Sequence, residues 1–150
     1  MEEEKIYNME NKENGYYSID LVLYPLKIFV VIDPTEKFLL SHFRDEKIGE
    51  VKLPPCWGDF NAEVYSNIVF NKRTRLRGIL MIIHSEDISS STIVHETTHI
   101  TNEIWDNISE YNYGEEANAY LTEYIYKRIY DVCKKHLEKI YRSKKVIIKL

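Results

Sequence analysis

The stretch LRGILMIIHSEDISSSTIVHETTHITNEIWDN, residues 76–107, carries the strongest secondary-structure signals in the chain. Its first eight residues are a nearly continuous apolar run, which is typical of a strand. The serine-rich segment 85–91 has the composition of a helix start, because serine side chains accept hydrogen bonds from the first free backbone N–H groups. From about Thr92 to Asn107 the apolar residues recur at helical spacing. We therefore predict a strand followed by an amphipathic helix.

Within this predicted helix, the apolar stripe and the two histidines of HETTH lie on different faces. His95 and His99 are four residues apart, so they share one face and can reach a single ion. Glu96 lies beside them, where a carboxylate can take a proton from water held by the metal. The stripe that can pack into a core is rotated away from the imidazoles; it consists of Ile93, Val94, Ile100 and Ile104, with Thr97 among them.

A catalytic zinc site usually has three protein ligands, and HETTH supplies two. The three-histidine extension of the motif is excluded, because its glycine position is Asn102 and its third histidine position is Trp105. A carboxylate from a neighbouring helix remains. The segment EEANAY, residues 115–120, opens a second helix after a turn, and a helix that returns antiparallel would bring its early residues close to the histidines. Glu116 is the predicted third ligand, with Glu115 as the alternative.

The second helix is long, and the two ends of the chain are polar or short. We predict that residues 115–142 form one helix, and that residues 1–14 form a polar arm or a frayed terminus. The last five residues, VIIKL, are compatible with a short strand. The buried side of the long helix is predicted from apolar residues at helical spacing: Ala117, Tyr120, Leu121, Tyr124, Ile125, Ile129, Val132, Leu137 and Ile140.

Upstream of residue 76, segments rich in β-branched and aromatic residues alternate with turn signals. Residues 16–32 are predicted to form one or two strands broken near Pro25, because proline removes a ladder hydrogen bond. The segment 33–49 predicts a short helix. Residues 62–70 are a predicted strand, separated from the strand at 76–83 by the turn NKRTR. Strands and helices in this order predict a single α+β domain over residues 1–150.

Charge and composition argue against two classes of partner. A net charge of −4 and a pI near 5.8 do not favour nucleic-acid binding. The longest apolar run, residues 21–32, contains Pro25 and Lys27 and is too short to span a membrane. The acidic start is unlike a secretory leader, so we expect a cytoplasmic protein with Cys56 and Cys133 reduced.

Taken together, the strand, the HETTH helix, the turn and the E-A-N-A-Y segment, residues 76–126, resemble the core of the zincin metallopeptidases. The similarity is to the branch whose third zinc ligand is a glutamate, and to small zincin-like proteins of tailed bacteriophages and prophages. It implies a minimal zincin-like domain, in which a small, mostly antiparallel sheet packs on the HExxH helix and a long C-terminal helix. It also implies that His95, His99 and Glu116 bind Zn²⁺, and that Glu96 is the general base. The strand at 76–83 would be the edge that holds an extended peptide by backbone pairing.

The resemblance departs from the family pattern at one position, which leaves the supporting residues open. Where the best-known members have a carboxylate four residues after the third ligand, this chain has Tyr120. Glu123 or Asn102 is expected to orient a ligand instead, with Tyr120 itself as a further supporting candidate. Glu103 is a candidate for a supporting or lid role. Candidates for the residue that stabilises the oxyanion are Tyr111, Tyr113 and His84.

Two functions follow from these expectations. The first is a zinc-dependent metallopeptidase that acts on a peptide or protein substrate in the cytoplasm of the host bacterium. The second is a structural component of a phage particle, such as a tail, neck, ring or accessory protein, that assembles with itself or with other phage proteins in the virion. Zinc retained with activity abolished in Glu96→Ala supports the first, and symmetric ring contacts support the second.

Overall fold

The computed structural model describes residues 7–11, 15–21, 24–53, 62–108 and 114–142. The chain divides into two compact units, Met1–His84 and Ser85–Leu150. The sequence-based expectation of a single domain stays a prediction.

The first unit is built on a mixed sheet. All neighbouring strands in it run antiparallel except β3 and β8, which are parallel. In the described part of the chain the sheet has eight strands, in the order β1-β2-β3-β8-β7-β4-β5, with β6 also paired to β8. Their bounds are β1 Tyr7–Asn11, β2 Tyr16–Asp20, β3 Lys27–Ile32, β4 Phe43–Asp45, β5 Gly49–Glu50, β6 Ala62–Val64, β7 Val69–Asn71 and β8 Arg77–Ile83.

Strand β8 is an interior strand, so the prediction that it forms a peptide-binding edge is wrong. On one side it pairs with β3, from Lys27↔Gly78 to Ile32↔Ile83. On its other side it pairs with β7 near its start and with β6 near its end. Both rows of backbone groups are therefore occupied within the sheet. The physical reason is the nearly continuous apolar run of β8. Strands with such runs are buried on both faces, and they are typical of the interior of a sheet.

An aromatic cluster forms the core of this unit. The ring centroids of Tyr16 and Phe43 lie 5.6 Å apart, and those of Phe29 and Phe43 lie 5.4 Å apart. Helix α1, Glu36–His42, contributes Phe38 to the cluster. The helix starts there because the Thr35 hydroxyl accepts a hydrogen bond from the backbone N–H of Phe38 at 3.0 Å. These contacts fix the sheet around β3 and β8.

Gly78 allows the close approach of β3 and β8. A Cβ atom at this position would lie 2.5 Å from the backbone oxygen of Lys27 and 2.6 Å from Cε2 of Phe29. Neither distance is compatible with van der Waals contact. Only glycine fits where the parallel pairing begins.

The second unit consists of a 3₁₀ turn, Ser85–Asp87, and two helices, α2 Ser90–Asn107 and α3 Gly114–Tyr141. Helix α2 is capped by the Ser89 hydroxyl, which accepts a hydrogen bond from the Thr92 N–H at 3.2 Å. Both helices confirm the sequence-based predictions to within two residues. Cys133 is a free, buried thiol on α3, and burial raises its pKa to about 12.

Side-chain contacts set the register of α2 and α3 as antiparallel. Trp105 Nε1–H donates to Asn118 Oδ1 at 3.0 Å. The hydroxyl oxygens of Thr101 and Thr122 lie 3.4 Å apart. Moving four residues back along α2 thus corresponds to moving four residues forward along α3.

Several predicted elements differ from the observed ones. Residues 7–11 form β1 and pair with β2, so the prediction of a flexible arm is wrong there. The predicted helix in segment 33–49 ends at His42, because Phe43 adopts extended backbone angles and begins β4. The predicted strand 62–70 is divided into β6 and β7, and residues 66 and 67 form a bend. The predicted C-terminal strand lies outside the described residues.

The α+β class predicted from the sequence is confirmed, with a mostly antiparallel sheet and a long C-terminal helix. No helix among the described residues has the length and apolar character needed to cross a membrane.

Candidate metal centre

His95 and His99 form a close pair on the exposed face of α2. Their Nε2 atoms lie 3.2 Å apart, and their ring centroids lie 4.9 Å apart with the ring planes at 72°. Both residues are exposed, whereas Ile100 is fully buried. The separation of the two faces follows the sequence-based prediction. Val94 is the exception, since it is 50 % exposed and does not belong to the buried stripe.

The spacing of the two ring nitrogens fits two ligands of one zinc ion. Zinc–nitrogen bonds of about 2.0–2.1 Å at tetrahedral angles place two ligand nitrogens about 3.3–3.4 Å apart. The observed 3.2 Å is close to this value. A hydrogen bond between two imidazole rings has a similar length, so the same spacing also fits direct contact between the rings.

Glu96 and Thr97 turn away from the exposed face. Glu96 is only 5 % exposed, and Thr97 is fully buried. A helix advances about 100° per residue, which carries Glu96 from the imidazole face toward the buried side. Thr97 Oγ1 is buried and has no hydrogen-bond partner among the described residues. Within HETTH, Glu96 and Thr97 are therefore buried, whereas His95, Thr98 and His99 face solvent.

The structure does not gather a third acidic ligand beside the two histidines. In the antiparallel register, residue 124 lies level with His99, and Glu116 precedes that level by eight residues, or about 12 Å along the helix axis. Glu115 and Glu116 are both exposed in the first turn of α3. Across the described ranges, no group of three or more His, Cys, Asp or Glu side chains is placed to hold a metal ion. The assignment of Glu116 or Glu115 as a ligand stays a prediction.

The supporting residues proposed from the sequence are spread over three places. Asn102 is exposed one turn after His99, which places it on the same face of α2 as the histidines. Glu103 is half-buried, and Tyr120 is 69 % exposed. The candidates Tyr111 and Tyr113 lie outside the described residues. His84 belongs to the first unit, where its Nδ1 lies 3.6 Å from Asp33 Oδ1.

Glu123 already has a partner on its own helix. Its carboxylate lies 2.8 Å from the Lys127 ammonium group. The hydrogen bond from Lys127 and the positive charge of that side chain lower the pKa of Glu123. It is therefore held as an exposed ion pair, and no contact among the described residues links it to the imidazoles.

Sequence reasoning missed a groove between α2 and α3, which has a volume of about 370 Å³. It is lined by Val94, Thr97, Asn118, Ala119, Thr122, Glu123 and Tyr126. The signal that could have indicated it is the small residue Ala119 between the polar residues that set the register. The groove lies on the α3-facing side of α2, which is distinct from the face that carries His95 and His99.

No protein-family model matches this chain, and neither a curated protein nor a solved structure matches it significantly.

Proposed function

We propose that this chain is a zinc-dependent hydrolase of peptide bonds, with His95 and His99 as zinc ligands and Glu96 as the general base. The observation that carries the proposal is the 3.2 Å separation of the two Nε2 atoms on an exposed face. Two accessible imidazoles that already converge need little reorganisation to bind one ion.

Zinc in such a site lowers the pKa of a water molecule to about 7 and polarises a carbonyl group. His95 and His99 act through their neutral Nε2 atoms, so metal binding competes with protonation of the rings. Glu96 accepts the proton of the attacking water and passes it to the leaving amine. Glu96 is buried beside the exposed face, so its carboxylate has to turn toward the histidines before it can accept that proton.

Glu116, with Glu115 as its alternative, is the proposed third ligand. Both carboxylates are exposed, so no buried contact has to be broken before either one binds the metal. The axial offset from the histidines requires the first turn of α3 to move toward them when the metal binds. Trp105 is bonded to Asn118 on that part of α3, so its fluorescence is expected to report the movement.

The HETTH motif is what favours a peptide as the substrate. A phage structural protein built on the same fold would keep the helix pair and need no cleavage. Zinc content and peptide cleavage, measured together, distinguish that alternative from a hydrolase.

The decisive experiment combines zinc content with peptide cleavage. We expect the purified protein to bind a single equivalent of zinc, and His95→Ala and His99→Ala to lose it. Glu96→Ala is expected to retain zinc and lose cleavage of a mixed peptide library. Thr98→Ala is the matched control, because Thr98 is exposed on the same helix and its hydroxyl donates to the Val94 carbonyl of that helix.

Three results would count against the proposal: wild-type protein without zinc affinity, Glu96→Ala with full activity, or Thr98→Ala with the same loss as His95→Ala. Zinc bound by wild type without cleavage of any peptide would overturn the hydrolase and favour the structural role. A change of Trp105 fluorescence with zinc in a Trp57→Phe background, abolished in Glu116→Gln, would identify Glu116 as the third ligand.

A further inference from the structure

A row of side chains crosses one face of the sheet in the first unit. Phe70 on β7 lies directly opposite Arg44 on β4 and directly opposite Arg77 on β8. Directly opposed residues of antiparallel strands project from the same face. An aromatic ring is therefore flanked by two arginines on neighbouring strands.

The two arginines of this row have different roles. Arg77 is fixed by Glu46, which accepts hydrogen bonds from its Nε and Nη2 atoms, both at 3.0 Å. Arg44 is exposed and makes no hydrogen bond or ion pair with any described residue. Arg44 lies directly opposite the exposed acid Glu50 across the β4–β5 pair, but the two side chains form no ion pair. The carboxylate of Glu46 is occupied by Arg77, so the guanidinium group of Arg44 stays accessible to a ligand.

The turn between β7 and β8 adds two more cations beside the row. Lys72 uses one proton in a hydrogen bond to the Leu40 carbonyl at 2.6 Å. Arg75 follows it with an exposed side chain that has no partner among the described residues. Asn71 shapes this turn, because its Oδ1 accepts from the backbone N–H groups of Arg73 and Thr74 at 2.9 and 3.1 Å.

Arg75 occupies a backbone conformation that favours glycine. Its φ is 61°, in the left-handed region where a Cβ atom is sterically costly. A glycine would fit this position with less strain. Arg75 therefore occupies this turn although its backbone conformation there is strained.

These groups surround an open cavity of about 430 Å³. It is lined by Arg44, Glu46, Phe70, Asn71, Lys72 and Arg75. The volume lies in the range of small-molecule sites and is large enough for a ligand of the size of a mononucleotide.

We propose that this cavity binds a small phosphorylated ligand with a flat ring, of the nucleotide class. Arg44 and Arg75 present planar guanidinium groups that match phosphate oxygens. Phe70 is half-buried and makes no contact with another aromatic ring among the described residues, so its face is available for stacking. A nucleic-acid strand is less favoured, because binding along a strand needs successive stacking rings and this row has one.

The cavity belongs to the unit that does not carry HETTH. Variants that test ligand binding in the cavity therefore leave the test of the zinc site unaffected. Isothermal titration at low ionic strength compares AMP, adenosine and inorganic phosphate as probes. We expect AMP to bind at least about tenfold more tightly than either fragment, since both the ring and the phosphate are recognised.

The variants separate the pocket from the general charge of the turn. Arg44→Gln and Arg75→Gly are each expected to weaken AMP binding about tenfold, since each removes a charge-assisted contact. Phe70→Leu is expected to weaken AMP binding and leave phosphate binding unchanged. Arg73→Gln removes the same charge in the same turn outside the cavity lining, so it is expected to leave AMP binding unchanged.

Arg75→Gly keeps the proposal testable against misfolding, because its Tm is expected to stay equal to that of wild type or to rise. Loss of AMP binding with an unchanged Tm supports the site. Absence of AMP binding to wild type overturns it, as does an equal loss in Arg73→Gln and Arg75→Gly. Tighter binding of a single-stranded oligonucleotide than of AMP, with a steep salt dependence, would overturn it in favour of a nucleic-acid surface.

Discussion

Two polar clusters in this molecule differ in whether the fold satisfies their hydrogen-bonding groups. In the first unit, the Asp45 carboxylate is fully buried and accepts four hydrogen bonds. They come from the Tyr65 hydroxyl at 2.5 Å, the Asn67 amide at 2.9 Å and the backbone N–H groups of Lys47 and Ile48 at 2.8 and 3.1 Å. Every lone pair that burial removed from water is thereby used within the fold.

In the second unit, His95 and His99 are exposed, and the side-chain contact seen for them among the described residues is with each other. Both side chains remain in contact with water. The difference indicates how a polar cluster relates to function. A group whose bonding capacity is filled by the fold stabilises the fold, whereas converging groups with accessible lone pairs are able to bind a ligand.

The largest effect that distinguishes the two clusters is expected from Asp45→Ala. Removal of the carboxylate leaves the Tyr65 hydroxyl, the Asn67 amide and two backbone N–H groups without their acceptor. The two N–H groups belong to Lys47 and Ile48 in the turn after β4. We expect a loss of about 3 kcal/mol in the free energy of unfolding, measured by urea titration. Glu50→Ala, an exposed acid on β5, is the control and should change it by less than about 0.5 kcal/mol. Equal effects in the two variants would contradict the structural role of Asp45.

The histidine pair should behave in the reverse way and affect stability only through a ligand. His99→Ala in metal-free protein is expected to leave the free energy of unfolding nearly unchanged, because the side chain is exposed. Zinc at a hundredfold excess over its Kd should stabilise wild type by about 2.7 kcal/mol and His99→Ala not at all. Thermal unfolding with zinc and with a chelator measures both. Stabilisation of both proteins by zinc would place the ion elsewhere.

A smaller effect is expected from pH, since protonation of Asp45 leaves its atoms in place. Burial raises the pKa of Asp45, but the hydrogen bonds from Tyr65, Asn67, Lys47 and Ile48 outweigh it and lower the pKa overall. A lowered pKa in the folded state means that the ionised Asp45 contributes fully to the stability of the fold above the pKa of the unfolded carboxyl. That contribution is then lost as the pH falls through the folded value. Urea midpoints against pH should therefore fall less steeply in acid for Asp45→Asn than for wild type.

The same network has an alkaline limit. Burial, and then the hydrogen bond to Asp45, raise the pKa of Tyr65 from 10.0 to about 12. A raised folded-state pKa stabilises the protein below pH 10 and loses that contribution as the pH rises toward 12. Tyr65→Phe should flatten this part of the profile, whereas an unchanged alkaline slope would show that other groups cause it.

The smallest effect is expected within HETTH itself, at Thr97→Val. The Thr97 hydroxyl is buried without a partner among the described residues, so an isosteric methyl group removes an unsatisfied polar atom. We expect a gain of about 1 kcal/mol in the free energy of unfolding, with zinc affinity unchanged. Thr101→Val is the contrast, because the Thr101 hydroxyl bonds to the Thr97 carbonyl at 2.9 Å, and it should destabilise instead. A destabilised Thr97→Val would mean that the hydroxyl has a partner after all.

Local patterns in the sequence predicted the helices and the strand around HETTH well. Apolar spacing and Ser89 identify the start of α2, because both act within one turn of the chain. The position of β8 in the sheet depends on its partners β3, β6 and β7, which no local pattern encodes. An apolar run with no alternating polar residues nevertheless favours an interior strand over an edge.

The third zinc ligand shows more clearly what local sequence patterns cannot predict. The few residues between the two helices predict an antiparallel pair, and the contacts of α2 with α3 confirm it. In such a pair, however, the start of α3 lies beside the end of α2, whereas His99 and His95 lie about two and three turns earlier. The register that decides this depends on Trp105 and Asn118, whose contact is made only when the side chains pack. Strand β1 was missed for a related reason, because its pairing uses backbone groups that any residue has.

The parallel pairing of β3 with β8 also determines when the sheet can form during synthesis. Lys27 and Gly78 are paired although they are about 50 residues apart, and closing so long a loop costs entropy before any contact repays it. Until residue 83 has left the ribosome, β3 has an unpaired edge made of apolar residues, and such an edge can pair with another chain. Nascent chains that stop before β8 are therefore expected to aggregate, and this exposure ends once β8 has been added.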